Sequence, residues 1–223
     1  MPRAGRTLVL AHRGDHRRHR ENSLAAMVTA LEQPACDGLE LDVRSSRDGV
    51  PVLYHDPTLA RLHGRSEGVV DLSASQLDAL GVASLAAVLE AVPHRAFLDV
   101  EIKVVIGRPL IEVLAAGRGP GLSNAVISSF DERAILRVRQ LAPDWATWLN
   151  AFDLSPATVD RANGLGCEGI SVEWHAIDGA RVTRAHSAGL DVAAWTVARR
   201  PTRDRLARFG LVAICVDGAA LTR

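Results

Sequence analysis

The charged residues best suited to chemistry lie inside segments that otherwise resemble buried strands. Glu40 and Asp42 stand two residues apart within an apolar run. Asp99, Glu101 and Lys103, the only lysine in the chain, repeat this spacing further on. Because successive side chains of a strand point to opposite faces, each set shares one face and the apolar residues between them take the other. Strands of a parallel sheet are covered on both faces and are usually apolar throughout, so these charges need an explanation.

Several carboxylates held together away from water predict a bound cation, because an unpaired buried charge is costly. Oxygen ligands suit Mg²⁺, Ca²⁺ or Mn²⁺. The alternative is an ion-pair network in which Lys103 balances Asp99 and Glu101 and only stabilises the fold. Two histidines favour a functional site, since His12 closes the first predicted strand and His55 follows the third. Two imidazoles converging on carboxylates suit general acid–base chemistry.

The elements that position these residues alternate along the chain in the pattern of βα units around a parallel sheet. Nine short apolar segments are predicted strands: 8–11, 38–43, 51–54, 97–102, 125–128, 146–149, 169–172, 192–196 and 212–216. Two amphipathic segments mark helix faces at the spacing i, i+3, i+4, i+7: Leu24, Met27, Val28 and Leu31, and Leu85, Val88, Leu89 and Val92.

The second and third predicted strands are too close in sequence for a crossover helix, so we expect a hairpin. Asp48 and Gly49 fit the central positions of a two-residue type I′ turn, and this register places His55 opposite Asp42. Counting the hairpin as an excursion from the second strand leaves eight parallel strands. This count predicts an α/β fold, a TIM-type (β/α)₈ barrel, with its site at the carboxyl ends of the strands. The runner-up, an open doubly wound sheet, lacks a glycine-rich loop after the first strand.

The composition is that of an ordinary globular chain: 223 residues, 48% hydrophobic and 23% charged, predict one domain over residues 1–223. The formal net charge of zero argues against holding nucleic acid or an anionic membrane by bulk electrostatics. We find no apolar stretch of signal-peptide length at the start and no run that approaches a membrane span. We therefore expect a cytoplasmic protein without stable membrane insertion. The sequence does not indicate an oligomeric state.

The order of the motifs resembles that of the glycerophosphodiester phosphodiesterase family. The matching segments are His12-Arg13-Gly14, Glu21-Asn22-Ser23, Glu40-Leu41-Asp42-Val43, Asp48-Gly49-Val50-Pro51-Val52, His55-Asp56 and Glu101-Ile102-Lys103. Three later segments agree more loosely: Ser129-Phe130-Asp131, Trp195-Thr196-Val197 and Val216-Asp217. The resemblance extends over nearly the whole chain.

The resemblance implies metal-dependent hydrolysis of a small glycerophosphodiester to glycerol 3-phosphate and an alcohol, with Mg²⁺ or Ca²⁺, and also Mn²⁺, as the expected cation. It assigns roles by residue: the cation to Glu40, Asp42 and Glu101, base and acid catalysis to His12 and His55, the phosphate to Arg13 and Lys103, and the alcohol or glycerol side of the pocket to Trp195. The alternatives are a lysophospholipase D, a phospholipase C-like lipid phosphodiesterase, or an inactive barrel that binds a phosphorylated ligand.

One loop departs from the family pattern. His16-Arg17-Arg18-His19-Arg20 stands directly before Glu21, where the family usually has a short apolar loop that ends in proline. This basic loop could bind a second phosphate or an acidic headgroup, or it could be a solvated surface. Nucleic-acid binding is a third hypothesis, and it predicts salt-sensitive binding to unrelated oligonucleotides.

Overall fold

The computed structural model describes residues 6–222. These residues contain nine strands: β1 (Leu8–His12), β2 (Gly38–Ser45), β3 (Pro51–Leu53), β4 (Phe97–Ile102), β5 (Ala125–Ser129), β6 (Thr147–Ala151), β7 (Gly169–Glu173), β8 (Asp191–Val197) and β9 (Ala213–Val216). They also contain nine α-helices: α1 (Leu24–Leu31), α2 (Ala60–His63), α3 (Ala74–Asp78), α4 (Leu85–Ala91), α5 (Arg108–Arg118), α6 (Glu132–Leu141), α7 (Pro156–Gly164), α8 (Gly179–Ser187) and α9 (Arg200–Ala207). All nine predicted strands are confirmed, with ends shifted by at most two residues.

Eight of the strands close a ring. β1 pairs in parallel with β2 on one side and with β9 on the other, and the remaining neighbours follow chain order from β4 to β9. The predicted (β/α)₈ barrel is confirmed. β3 lies outside the ring, antiparallel to the part of β2 that extends beyond β1. In the described part of the chain, no helix is both long and apolar enough to cross a bilayer.

The register of the hairpin differs by one residue from the predicted one. β2 pairs Val43 with Leu53, and the backbone N–H of Tyr54 donates to the carbonyl oxygen of Asp42 at 3.0 Å. Tyr54 therefore takes the position opposite Asp42 that was predicted for His55. The prediction was wrong because the loop has three residues rather than two.

The side chain of Ser46 explains the longer loop. The backbone N–H of Ser46 donates to the carbonyl of Val50 at 3.0 Å, so residues 47–49 form the loop. The Ser46 hydroxyl accepts from the Val50 N–H at 2.9 Å and donates to Asp48 at 2.7 Å. Gly49 closes the loop with φ 82°, the left-handed residue of a three-residue hairpin.

The chain between β3 and α4 forms a small excursion on the outside of the barrel. The excursion contains α2 and α3 and is tied back to β3 by a hydrogen bond from the Leu53 N–H to the Ala83 carbonyl at 2.8 Å. It has its own hydrophobic cluster, separate from the main core: Val52, Tyr54, Leu59, Val69, Leu72, Leu77 and Val82. The ring therefore does not depend on the excursion for its packing.

The barrel strands divide their side chains between two layers. Outward-facing residues pack against the helices, and for β2 and β4 these are, as predicted, Leu39, Leu41, Val43, Leu98, Val100 and Ile102. Inward-facing residues at the amino-terminal end form an apolar floor of Leu10, Phe97, Val126, Trp148, Ala193, Ala213 and Cys215. The charged residues stand above this floor, at the carboxyl ends of the strands.

The buried face of α1 differs from the predicted one. Met27 is buried as expected, but Leu24 and Val28 are 37% and 40% exposed. Ala26 and Ala30 take the buried positions instead. Their small side chains let the helix lie against the loop that follows β1. The predicted face of α4 is confirmed, with its first three members in the core.

Gly14 marks the closest approach between α1 and this loop. It has φ 81°, and a Cβ there would lie 2.6 Å from the backbone carbon of Ala26. Gly49 has a similar φ of 82° but nothing within 4 Å. We expect Gly14→Ala to lower the free energy of unfolding by roughly 2–5 kcal/mol, from backbone strain and overlap together. Gly49→Ala should lower the free energy of unfolding by backbone strain alone, about 1–2 kcal/mol. Urea denaturation measures both, and equal losses would contradict the role given to close packing.

Candidate active site

Four carboxylates from two neighbouring strands meet above the apolar floor. The register of β2 and β4 places Glu40 beside Asp99 and Asp42 beside Glu101. All four are at most 9% exposed. Ligand oxygens of Glu40, Asp42 and Glu101 lie within 4.8 Å of one another. The structure thus brings together the three carboxylates that the sequence predicted as metal ligands.

Burial and mutual repulsion disfavour ionisation of most of this cluster. Burial, followed by the charges of Asp42, Glu101 and Asp99, raises the pKa of Glu40 well above its usual value. Burial also raises the pKa of Asp99 to about 7 and that of Glu101. Asp42 is the exception: burial opposes its ionisation, but the charges of Lys103 and Arg13 hold its pKa below the usual value.

Two cationic side chains lie beside the cluster, and both form ion pairs with Asp42. Lys103 Nζ is 2.9 Å from Asp42 Oδ1 and also pairs with Glu101. Arg13 Nε is 2.9 Å from Asp42 Oδ2, while its Nη1 donates to Glu21 at 3.0 Å. These ion pairs favour the charged form of Asp42, although among the described residues neither Asp42 Oδ1 nor Arg13 Nε has a hydrogen bond of good geometry.

The remaining carboxylate oxygens fit a hard divalent cation. Within residues 6–222, Glu40 Oε1 and Asp99 Oδ1 are buried without a hydrogen-bond partner. Buried acceptors of this kind are costly unless a cation or a proton satisfies them. Arg13 and Lys103 supply two positive charges against four carboxylates, so a divalent ion would supply the balance. An ion-pair network alone therefore accounts for only part of this cluster.

Asn22 fixes Asp42 from the other side. Asn22 Nδ2 donates to Asp42 Oδ2 at 2.7 Å, and Asn22 Oδ1 accepts from the Asp42 backbone N–H at 3.1 Å. The cap of α1 is the next residue, Ser23, whose hydroxyl accepts from the Ala26 N–H at 3.2 Å. The match of Glu21-Asn22-Ser23 to a family motif is the sequence feature that could have identified Asn22 as a site residue.

His12 stands at the end of β1 with its two nitrogens directed to different partners. Nδ1 lies 3.1 Å from Asp217 Oδ1, and Nε2 lies 3.9 Å from Glu40 Oε2 at the pocket. Burial opposes ionisation of Asp217, but hydrogen bonds from His12 and His16 hold its pKa below the usual range. Because an ionised carboxylate only accepts, Nδ1 carries the proton and Nε2 is free to accept one from the pocket.

His16 reaches the same aspartate from the basic loop. Its Nε2 is 2.9 Å from Asp217 Oδ1, and this hydrogen bond raises the pKa of His16. The residues of the basic loop have different partners. Arg17 binds Asp15 through two contacts of 2.7 and 2.6 Å, and Arg20 donates to the Leu80 carbonyl at 3.1 Å. Of these three residues, only His16 faces the barrel mouth.

His55 follows β3 and lines the same pocket as His12 despite the shifted register. Arg44 holds its backbone, donating to the His55 carbonyl at 2.9 and 2.7 Å. His55 Nδ1 lies 2.7 Å from Asp56 Oδ1. Burial lowers the pKa of His55, although Asp56 opposes the shift. Burial opposes ionisation of Asp56, but hydrogen bonds from Arg61 and His55 lower its pKa to about 2.

Aromatic side chains form the opposite wall of the pocket. Trp195 Nε1 donates to the Ser171 carbonyl at 3.0 Å, which fixes the indole. Phe130 and Phe152 pack edge-on against it, with ring centroids 5.5 and 5.4 Å away. Phe152 is 69% exposed and was not predicted from the sequence. The pocket is thus charged on one side and apolar on the other.

Comparisons with known proteins agree with this geometry. The sequence profile of the glycerophosphoryl diester phosphodiesterase family matches residues 12–106 and 100–221. A glycerophosphodiester phosphodiesterase from Caldanaerobacter subterraneus subsp. tengcongensis is 32% identical over 156 residues, which are 62% of this chain and 64% of that protein. The chain therefore spans slightly less than two thirds of that relative.

Two solved structures share the fold over nearly their whole length. A glycerophosphodiester phosphodiesterase from Agrobacterium tumefaciens is 25% identical with a TM-score of 0.82, covering 96% of this chain and 98% of that one. An Oleispira antarctica phosphodiesterase in complex with the product sn-glycerol-3-phosphate is 24% identical with a TM-score of 0.78, covering 95% and 93%.

Proposed function

The chain belongs to the glycerophosphoryl diester phosphodiesterase family, and from this we propose that it hydrolyses glycerophosphodiesters to glycerol 3-phosphate and an alcohol. The observation that carries the proposal is the meeting of Glu40, Asp42 and Glu101 at the barrel mouth, within 4.8 Å of one another. Two histidines line the pocket beside them. The glycerol 3-phosphate bound to the Oleispira enzyme supports the choice of product.

Glu40, Asp42 and Glu101 would hold one divalent cation, Mg²⁺ or Ca²⁺, with Mn²⁺ as a further choice. Such an ion offsets negative charge on the phosphate oxygens, which otherwise makes a diester a poor electrophile. Arg13 and Lys103 would add positive charge beside the same oxygens. The cluster is buried, so these charges act in a region of low dielectric.

The two histidines would divide the proton transfers. His12 Nε2 accepts the proton of the attacking hydroxyl, while Asp217 holds Nδ1 and stabilises the imidazolium that forms. His55 donates a proton to the departing alcohol, and Asp56 holds its Nδ1. The lowered pKa of His55 makes its protonated form a stronger acid. The nucleophile is water or the 2-hydroxyl of the substrate's own glycerol. Trp195 would line the alcohol or glycerol side.

A release assay for glycerol 3-phosphate tests the proposal. A panel of glycerophosphodiesters is incubated with Mg²⁺, Ca²⁺ or Mn²⁺, and with excess EDTA. We expect release with at least one cation and none with EDTA. Choline release is measured in parallel, because a lysophospholipase D frees choline from lysophosphatidylcholine and leaves an acylated glycerol phosphate. Faster choline release from lysophosphatidylcholine than from glycerophosphocholine would indicate that activity instead. Binding of glycerol 3-phosphate without turnover of any diester would indicate an inactive relative.

Lys103→Arg should lower kcat by roughly ten- to a hundredfold while the protein stays folded. The compact ammonium fits between Asp42 and Glu101, whereas a planar guanidinium needs more room and a different geometry. Steady-state kinetics at saturating cation measure the effect. Arg161→Lys, which changes an exposed ion pair on α7, is the matched control. An unchanged rate for Lys103→Arg would show that this position requires only a positive charge.

A further inference from the structure

A second set of ligating side chains lies beside the carboxylates. His12, His16 and Asp217 each offer a ligand atom, and these atoms lie within 4.8 Å of one another. His12 Nδ1 and His16 Nε2 are 3.1 and 2.9 Å from the same oxygen, Asp217 Oδ1. The imidazole rings meet edge to face at an interplanar angle of 77°. The three side chains come from β1, the loop after it and the residue that follows β9.

This donor set differs in kind from the carboxylate set. Two imidazole nitrogens and one carboxylate suit Zn²⁺ and its neighbours, whereas an all-oxygen site suits Mg²⁺ or Ca²⁺. A tetrahedral ion with ligands at about 2.0–2.2 Å holds them roughly 3.4 Å apart. The nitrogen-to-oxygen separations in the structure are already close to that spacing. Little movement is needed to replace the shared hydrogen bonds with a cation.

The loop that carries His16 is held in place. Asp15 is buried, its backbone N–H donates to the Ala26 carbonyl at 2.8 Å, and its carboxylate binds Arg17. The backbone conformation on both sides of His16 is therefore fixed by contacts independent of Asp217.

We propose that His12, His16 and Asp217 bind a transition-metal ion of the Zn²⁺ type, and that this ion inhibits hydrolysis. An ion on Nδ1 of His12 takes the lone pair of that nitrogen, and the displaced proton moves through solvent to Nε2. The imidazole then presents N–H to the pocket in place of a lone pair and cannot accept a proton from the nucleophile. The claim that the ion inhibits hydrolysis rests on the proposed role of His12 as base. The claim that the three side chains bind the ion is independent of that role.

Metal binding is tested first. Wild type, His16→Ala and His19→Ala are titrated with Co²⁺ by visible absorption and with Zn²⁺ by calorimetry, in saturating Mg²⁺. His19 is the matched control, because it lies in the same loop but contacts Thr29 on α1. Glu40→Gln is added to separate this site from the carboxylates. We expect wild type, His19→Ala and Glu40→Gln to bind one equivalent, and His16→Ala to lose affinity by at least about 10²-fold.

Inhibition is tested second, with each protein compared with its own rate before Zn²⁺ is added. The concentration of Zn²⁺ that halves the rate should be at least about 10²-fold higher for His16→Ala than for wild type and His19→Ala, in proportion to the lost affinity. No His16-dependent binding would overturn the site. Binding that leaves the rate unchanged or raises it would overturn the inhibition. If no diester is hydrolysed at all, the proposed function fails, and the titrations still decide the site.

Discussion

Glu40→Gln, Asp42→Asn and Glu101→Gln are each expected to lose the divalent cation and the diesterase activity together. Each removes one charge from a single site, and a cation that polarises a phosphoryl oxygen is worth several kcal/mol in the transition state, roughly 10³-fold in kcat. Calorimetric titration with Mg²⁺ and Ca²⁺, beside the glycerol 3-phosphate assay, measures both losses. Glu90→Gln on the exposed face of α4 is the control. Full activity in excess EDTA, or in any of the three variants, would refute the assignment.

The metal-free proteins separate a binding site from a structural network. Burial and three neighbouring carboxylates oppose the charge of Glu40, so Glu40→Gln should leave the free energy of unfolding unchanged or raise it. Asp42→Asn should lower it, because Lys103 and Arg13 then lose their shared partner. A network that existed only for stability would be weakened by both substitutions alike.

His55→Ala and His12→Ala are expected to differ in their dependence on the leaving group. Without the acid, cleavage of glycerophosphocholine should slow by about 10² to 10⁴, the usual worth of general acid catalysis. A glycerophospho-nitrophenyl diester should keep much more of its rate, since nitrophenolate departs without a proton. His12→Ala lacks the base and should lose activity on both substrates.

The comparison uses kcat/KM for the two diesters in wild type, both variants and His94→Ala. His94 is an exposed histidine that precedes β4, at the end of the barrel opposite the carboxylates. Equal losses for His55→Ala on the two substrates would mean that His55 binds or orients rather than donates. A nitrophenyl rate that survives His12→Ala would remove the base assignment. The two histidines are thus tested independently of each other.

The parts of the fold that depend on local patterns were predictable. Short apolar runs between amphipathic segments located all nine strands, and the alternation of faces along a strand placed the carboxylates of β2 and β4 together on the inner face. The rule that parallel barrels keep their sites at the carboxyl ends of strands then put His12 and Glu101 at one mouth. These inferences needed only periodicity and the direction of the chain.

The parts that depend on contacts between distant or irregular segments were not predictable. The hairpin register is set by the hydroxyl of Ser46, which accepts a hydrogen bond from the Val50 N–H and so favours a three-residue loop. The buried face of α1 was set by close packing against Gly14, which favours alanine over leucine. Asp217 lies 205 positions from His12 in sequence, and its role follows only from the closure of β9 onto β1.

The excursion after β3 has a consequence for how such a barrel can diverge. It stands outside the closed ring and packs on its own cluster, so added or altered residues between α2 and α3 need not disturb the pairing of the eight strands. The entropic cost of closing a loop grows only slowly with its length, so longer connections there destabilise the fold little. Sequence changes in the excursion can thus alter the pocket rim beside His55, and with it the range of alcohols accepted. The carboxylates on β2 and β4 keep their geometry, because they belong to the ring.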